Sequence, residues 1–518
     1  MTRIRTLLMA SVALALPAVA SAQAPDDTIV VALSADITTF DIAQVSERGN
    51  SNIMRHIFAT LQTTQPDGSI TGDLAESLEI TPDGTGYIFT LKEGLTCHDG
   101  ESLMAEDVAY TFNRARDPEN RFTGNVPGFL FSGMQFEGAE ALDDLRVQIN
   151  IATPNPIAQG LMAEVMIHCK DAYEAMTLEE AAQNPVGSGR YQMVEWERGS
   201  RVVLERVADA SEAPVERLIF RIIPEASTRT AELLAGNIDL VTNVPPDQLD
   251  VIEASPDTTL YTAQGLRRIY VGFNLSEEFA AMPGGDAIQN PAVRRALQYA
   301  VDVPSICTQL LNFECERATG LVNPPHNHPD LEPYPYDPDM AEALLDEAGW
   351  PRGADGTRFS IRFQAGRDRY LNDVNVVQAI TQMLQDVGVD VELQILDWAS
   401  GYVPLVRERR AGPIYFLGTG GNIWSPYIDM NDLNSVGAGT NYTHWDDPRW
   451  FDGWATLRDP SVSDEEKEEV RLEMLRVFYE DGPWLHLYSQ PDFYAMSTRL
   501  NFTPRQDERV YLWTATLD

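Results

Sequence analysis

Lysine is almost missing from this chain. Only Lys92, Lys170 and Lys467 occur in 518 residues, so arginine supplies nearly all the positive charge. Positive charge is itself scarce: 38 Lys+Arg stand against 78 Asp+Glu, a formal net charge of −40. A field of that sign repels nucleic acid and anionic membrane surfaces, and neither is an expected partner. The four cysteines are too widely spaced for a zinc cluster. No Lys-Ser/Thr follows the glycines of Gly187-Ser188-Gly189, which argues against a nucleotide-phosphate loop. There is no nucleophile elbow and no zinc-protease helix motif. No catalytic residue, metal or cofactor is expected.

Beyond the N-terminus, no apolar run is long enough to span a membrane. The N-terminus itself reads differently. Arg3 and Arg5 precede an apolar stretch from Leu7 to Val19, and Ala20-Ser21-Ala22 has the small-x-small form of a cleavage site. Residues 1–22 are therefore expected to be a signal peptide, with Gln23 opening a periplasmic protein of a Gram-negative host. Export permits disulfides, and four cysteines give two. Of the three possible pairings we favour Cys307–Cys315, close in sequence, and Cys97–Cys169.

Strand and helix signals alternate. Thr28 to Leu33 reads as a strand, and Ile53, Ile57, Phe58 and Leu61 share a helical face. Strands are expected at Tyr87 to Leu91 and Val147 to Ile151, around a helix from Ala105 to Arg116. Asn290-Pro291 and Asp337-Pro338 open helices, and Gly349 ends the second. The clearest unit runs from Arg358 to Leu396. Phe359, Ile361 and Phe363 alternate; Val374, Val377, Thr381 and Leu384 step as a helix; Val389, Val391, Leu393 and Ile395 alternate again. This is a β-α-β crossover with parallel strands. The length exceeds one ordinary core, so the expected class is α/β with two or more lobes.

Arg367 follows the first strand of that crossover and precedes its helix. Ligands of α/β sheets bind at the carboxyl ends of strands, and a helix N-terminus offers N–H groups to an anion. Arginine adds a fork for a carboxylate. The plainer reading is a surface ion pair with Asp368 or Asp373. Cys97-His98-Asp99-Gly100 is read as a turn. His326 and His328, set among prolines, are read as exposed loop residues.

Six stretches resemble the extracellular solute-binding proteins of family 5, the oligopeptide and dipeptide type. They are GDLAESL (72–78), LKEGLTCHDGESLMAEDV (91–108), NPVGSGRY (184–191), AELLAGNID (231–239), VRRALQYAVD (293–302) and YDPDMAEALLDEAGW (336–350). The resemblance implies a bilobal periplasmic-binding-protein fold with two α/β lobes, a hinge and an inserted domain. Its segments would be lobe I at 23–60, 184–271 and 489–518, domain II at 61–183, and lobe III at 272–488, crossing near Tyr270 to Asn274 and Leu487 to Gln490. It implies a monomeric, non-enzymatic receptor that captures a peptide or another carboxylate-bearing solute and delivers it to an ABC permease. The other classes kept open are an exported hydrolase and a chemoreceptor-coupled sensor of the same fold. By position in the family, the ligand would meet Arg367, Arg369 and Tyr370; Trp398; Ser46, Glu47 and Arg48; Thr242 and Asn243; Tyr488; and the run holding Gly420, Gly421, Asn422 and Trp424. The aspartate that peptide binders place in that run for a ligand's α-ammonium is missing, and Asp429 lies further on. Modified peptides, opine-like compounds, glutathione-like conjugates and oligosaccharides therefore stay open as ligands.

Overall fold

The protein's computed structural model describes residues 27–45, 48–208, 210, 212–367, 369–420, 425–431, 433 and 440–518, with the backbone alone at Arg48 and Ala399. The expected signal peptide lies outside these residues, as do Ser46, Glu47, Gly421, Asn422 and Trp424.

Ten strands form one sheet. In chain order they are β1 (Thr28–Leu33), β2 (Tyr191–Glu197), β3 (Arg201–Arg206), β4 (Arg217–Ile222), β5 (Leu240–Val241), β6 (Thr258–Phe273), β7 (Phe359–Arg367), β8 (Val389–Asp397), β9 (Ile414–Gly420) and β10 (Trp484–Ser497). Their order across the sheet is β8-β7-β9-β6-β10-β5-β1-β4-β3-β2. The β-α-β crossover is present: β7 pairs parallel with β8 from Phe359↔Val389 to Arg367↔Asp397. Helix Asp373–Asp386 joins the two strands.

The inner strands of the sheet carry apolar cores on both faces, on either side of the β6–β10 pairing. On the β1 side, one cluster gathers Ile29, Val31, Leu218 and Phe220, and another gathers Val30, Ala32, Val241 and Phe493. On the β7 side, Ile269, Val271 and Phe273 of β6 join a core with Ile361, Phe363, Val377 and Ile380. Tyr270, between them in sequence, faces the opposite core with Trp450, Phe478 and Trp484. This is period-two alternation with both faces covered. A separate four-stranded antiparallel sheet, made of 75–80, 86–91, 136–141 and 146–151, packs with helix Ala105–Arg116 over its own core.

The strands β6 and β10 run through both halves. Thr258 to Gln264 pair with Ser497 to Pro491, and Arg268 to Gly272 pair with Ser489 to Trp484. Between these two runs the register shifts, at Gln264/Arg268 and again at Arg268/Tyr270.

Other readings resolve locally. In the CHDG turn, the Gly100 amide donates to Cys97, and His98 meets the Gly189 carbonyl through Nε2 at 2.9 Å. Gly187 and Gly189 lie so close to the helix at Arg48–Ile57 that a Cβ would fall 2.1 Å from the Ile57 carbonyl oxygen and 2.4 Å from that of His56. The glycines thus serve close packing of backbones. His328 is not the exposed loop residue expected. It is 5 % exposed, and its Nδ1 accepts from the Asp330 amide. Among the described residues no group of side chains could hold a metal ion, and no helix is long and apolar enough to cross a membrane.

Both favoured disulfides are formed, Cys97–Cys169 and Cys307–Cys315. They span 72 and 8 residues of chain. Loop closure in the unfolded state scales with the logarithm of that span. Replacing the first pair by alanine should therefore cost about 4 kcal/mol and the second about 2.5 kcal/mol. Guanidinium melts of the two double variants give the comparison, and equal losses would contradict it.

Three histidines are buried and held neutral, because burial disfavours the imidazolium. His56 is pushed down to about 4, His168 to about 3 and His486 to about 3. The unfolded chain takes up protons near pH 6.5 while the native state does not. Stability should therefore fall as pH drops below about 6.5, by up to ~1.4 kcal/mol per pH unit per histidine. His168 stacks on Tyr173 at 3.9 Å, and neither of its ring nitrogens has a hydrogen-bond partner among the described residues. His168→Phe should flatten the slope between pH 6.5 and 5, measured by urea melts. An unchanged slope would mean that His168 is protonated in the native state.

Candidate ligand-binding site

The carboxyl ends of β7 and β8, the end of β9 and the crossing of β6 with β10 come together around one segment, of which residues 367 and 369–372 are described. Arg367 is the last residue of β7 and is exposed. Its guanidinium has no hydrogen bond or ion pair to any described residue. Asp373 does not pair with it. That carboxylate turns back and accepts from the amides of Arg369, Tyr370 and Val374, at 2.9, 3.1 and 2.8 Å. One amide of the helix's first turn, that of Val374, is thus taken by its own first residue, whose carboxylate also sets a negative charge at that end. An anion here would rest on the arginine fork.

Tyr370 is 7 % exposed. Its hydroxyl accepts from the Gly418 amide at 2.8 Å and reaches the Gly418 carbonyl at 3.3 Å, which fastens the loop to β9. Burial raises its pKa, so the phenol stays protonated. Trp398, half-buried, packs edge-on against Tyr370 at 5.6 Å. The Arg369 guanidinium lies 5.5 Å from the Tyr370 ring and 5.7 Å from that of Trp398, within cation–π range. The loop also reaches the other half of the sheet. The Leu371 amide donates to Gln490 Oε1 at 3.0 Å, and Leu371 packs against the cluster containing Val241 and Val244. Thr242 and Asn243 lie between those two valines, the first half-buried and the second exposed with φ 54°.

Gly420 ends β9 opposite Arg267. Arg48 opens the helix Arg48–Ile57. Tyr488 is placed differently. It is 1 % exposed within the core that holds Leu485 and Leu487, so it presents no surface to a ligand in this conformation.

Two residues at the crossing were not expected. Arg267 Nη2 lies 2.7 Å from Glu508 Oε1, and both side chains are 14 % exposed. Burial opposes the charge on Arg267, but Glu508 outweighs it and raises the guanidinium pKa. Arg268, 2 % exposed, sits 2.7 Å from Asp429 Oδ1. Asp429 therefore carries an internal ion pair. Nothing in the local sequence marks either pair, because the partners lie 241 and 161 positions away. The crossing is further tied by Asn323, whose Nδ2 donates to the Leu266 carbonyl at 2.8 Å and whose Oδ1 accepts from Ser489 Oγ at 2.6 Å.

This arrangement has polar and aromatic groups at strand ends where two halves of a sheet meet, and it suits binding. Residues 69–441 match the family described as bacterial extracellular solute-binding proteins, family 5 Middle. The chain belongs to that family. This family 5 protein is 27% identical over 373 residues to the glutathione-binding protein GsiB of Pectobacterium atrosepticum, covering 71% of this chain and 69% of the relative. It is 24% identical over 505 residues to the oligopeptide-binding protein AppA of Bacillus subtilis, covering 92% and 90%. Its fold matches the periplasmic binding protein DppA of Helicobacter pylori, solved with the peptide STSA, with TM-score 0.75 and 21% identity over 95% of this chain and 98% of the other. As a family 5 member it is a substrate-binding protein of ABC transport and not an enzyme.

Packing at the site sets a strict steric limit. A Cβ on Gly366 would lie 2.6 Å from Trp398 Cε3 and 2.8 Å from Tyr402 Cδ1. Gly366→Ala should displace the Trp398 ring, destabilise the fold by about 1–3 kcal/mol and weaken solute binding. Tryptophan fluorescence and calorimetry on the variant check this, and unchanged affinity would place Trp398 outside the binding surface.

Proposed function

We propose that this protein captures a peptide-like solute bearing a carboxylate between its two lobes and delivers it to an ABC permease. One observation carries the charge assignment: Arg367 stands exposed at the carboxyl end of a parallel strand, unpaired among described residues, in a chain poor in positive charge. The names of two relatives, for glutathione and for oligopeptides, fit a ligand with a free carboxylate. Arg367 would take that group, Arg369 and Trp398 would flank it, and Gly420 with the run after it would run along the ligand's backbone. The hinge is placed at Gln264 to Arg268 and Ser489 to Pro491, where the ladder shifts register. Closure there would swing the Arg367 loop towards Thr242, Asn243 and Arg48, a hinge-type motion. Asp429 is engaged with Arg268, so a free α-ammonium would lack a carboxylate there. This favours solutes whose amino group is modified or absent. The signal peptide and periplasmic location belong to the same reading.

Mass spectrometry of solute released from the purified protein identifies the ligand. Calorimetry then follows on the native solute and its amide, with wild type and Arg367→Ala. A charge-assisted bond is worth about 1.5–3 kcal/mol, so Arg367→Ala should weaken binding about 10- to 150-fold. Amidation should cost the wild type a similar factor and the variant little. A coupling energy near zero would sink the assignment. Small-angle scattering should show compaction on binding, and a bound solute with no compaction would count against lobe closure.

A further inference from the structure

The Cys307–Cys315 bond joins residues 8 apart. The loop it closes starts on helix Val303–Leu310, which Ile306 and Cys307 anchor in the core of the β7 side. It ends just before the buried Arg317, and the Ala318 amide donates to the Leu487 carbonyl of β10 at 2.9 Å. Both ends of the loop are therefore held by the core, and the bond ties them to each other. Cys97–Cys169 lies elsewhere, in the core of the separate four-stranded sheet.

Two groups of this loop meet the segment that carries Arg369 and Tyr370. The first is the Leu310 carbonyl, which ends a helix and so has no acceptor role within it. Asn372 Nδ2 donates to it at 2.7 Å. Asn372 itself stands in the left-handed region, φ 50°, at the start of helix Asp373–Asp386, and its Oδ1 accepts from Asn375 Nδ2 at 2.6 Å. One side chain thus caps the end of one helix while its backbone begins the next. The second is Phe313. Its ring lies 6.5 Å from that of Tyr488 and 6.4 Å from that of Phe493, on either side of the β6–β10 crossing. Among the described residues, Phe313 and Leu371 are the two partly buried apolar side chains that pack against both the core holding Leu485 and Leu487 and the core holding Val241 and Phe493. Gln490, between those two rings in sequence, accepts from the Leu371 amide. The segment is therefore held from two directions, by the Tyr370 hydroxyl on β9 and by the disulfide loop over the crossing.

We infer that Asn372 and Phe313 are positioning residues of the solute site: the disulfide-closed loop 307–315 holds residues 369–372 in place, so that Arg369 and Tyr370 stand where the solute meets them. This rests on the solute site proposed above. The test is hydrogen exchange, read by mass spectrometry on the full protein without solute. The amides of Arg369, Tyr370 and Leu371 are bonded to Asp373 and Gln490, so their exchange reports how firmly the segment is held. Asn372→Asp keeps the size and tolerates the left-handed backbone, but it replaces the donor to Leu310 by an acceptor. It should speed exchange of the peptide covering 367–373 about tenfold and leave β1 and β7 unchanged. Phe313→Ala should do the same. Phe313→Leu, which keeps an apolar side chain over the crossing, should restore most of the protection. With Cys307→Ala and Cys315→Ala already in place, and that peptide already faster, Phe313→Ala should add little, because the ring is no longer held. Unchanged exchange of that peptide in both Asn372→Asp and Phe313→Ala overturns the inference. So does a rise spread equally over β7 and β8, since the loop would then be a staple of the whole core. No solute enters the measurement, so this inference and the solute site, which calorimetry decides, can fail separately.

Discussion

The strands β6 and β10 are paired antiparallel on both sides of two register shifts, and each side packs into a different core. Because every strand of the large sheet is bonded to its neighbour, the halves cannot move apart without deforming the ladder itself. The deformation is cheapest where the ladder is already interrupted, at Gln264 to Arg268. The side chains crowded there act as fasteners. Asn323 ties Leu266 to Ser489, Arg267 reaches the C-terminal run through Glu508, and Arg268 holds Asp429. These contacts bridge chain segments more than 50 residues apart, so they bind distant pieces of the chain to the same crossing.

The scarcity of lysine has a structural counterpart at these junctions. Arg55 and Arg509 share Glu164, and Arg509 and Arg505 share Asp507, with Arg509 fully buried. This network joins the first helix, the inserted segment and the C-terminal run. Arg317 instead donates to the carbonyls of His486, Gln298, Val301 and Tyr334 and to the Gln298 side chain. Burial lowers its pKa only to about 10, so it stays charged at neutral pH. A lysine has three donors on a point charge and could not satisfy four carbonyls and an amide from one position. Buried ion pairs add little net stability over apolar packing, but breaking one is expensive, and so they fix which segments meet.

The β-α-β unit was legible from sequence because its signals are local: alternation, helical stepping and a terminal glycine all fall within about forty residues. The two disulfides were legible because four cysteines leave three pairings and Cys307 and Cys315 are close in sequence. The crossing of β6 with β10 was less so. A strand buried on both faces has no polar alternation, so Tyr488 in β10 looks like any cleft residue until its neighbours are known. Asp373 is one of two candidate partners for Arg367 in the plainer reading, yet backbone amides in its own turn claim it. Arg267 and Arg268 read as ordinary strand residues, since the carboxylates that define them are distant in sequence. What was hidden in each case is a partner, and composition does not carry partners.

In the proposed capture of a carboxylate, a protein of charge −40 faces opposing fields. The far field repels the solute but is screened beyond about 8 Å at physiological ionic strength. The attraction has to be local. Two unit charges 4 Å apart gain about 1 kcal/mol in water and about 4 kcal/mol at an effective dielectric constant of 20. An exposed arginine in an open cleft is therefore a weak discriminator. In the proposed capture, closing the lobes excludes water and strengthens that same contact several-fold. Closure around a solute with no carboxylate would instead desolvate the Arg367 guanidinium with nothing opposite it. That penalty acts only in the closed form, so selectivity and hinge closure become one event: the wrong solute can enter, but the lobes do not stay shut on it.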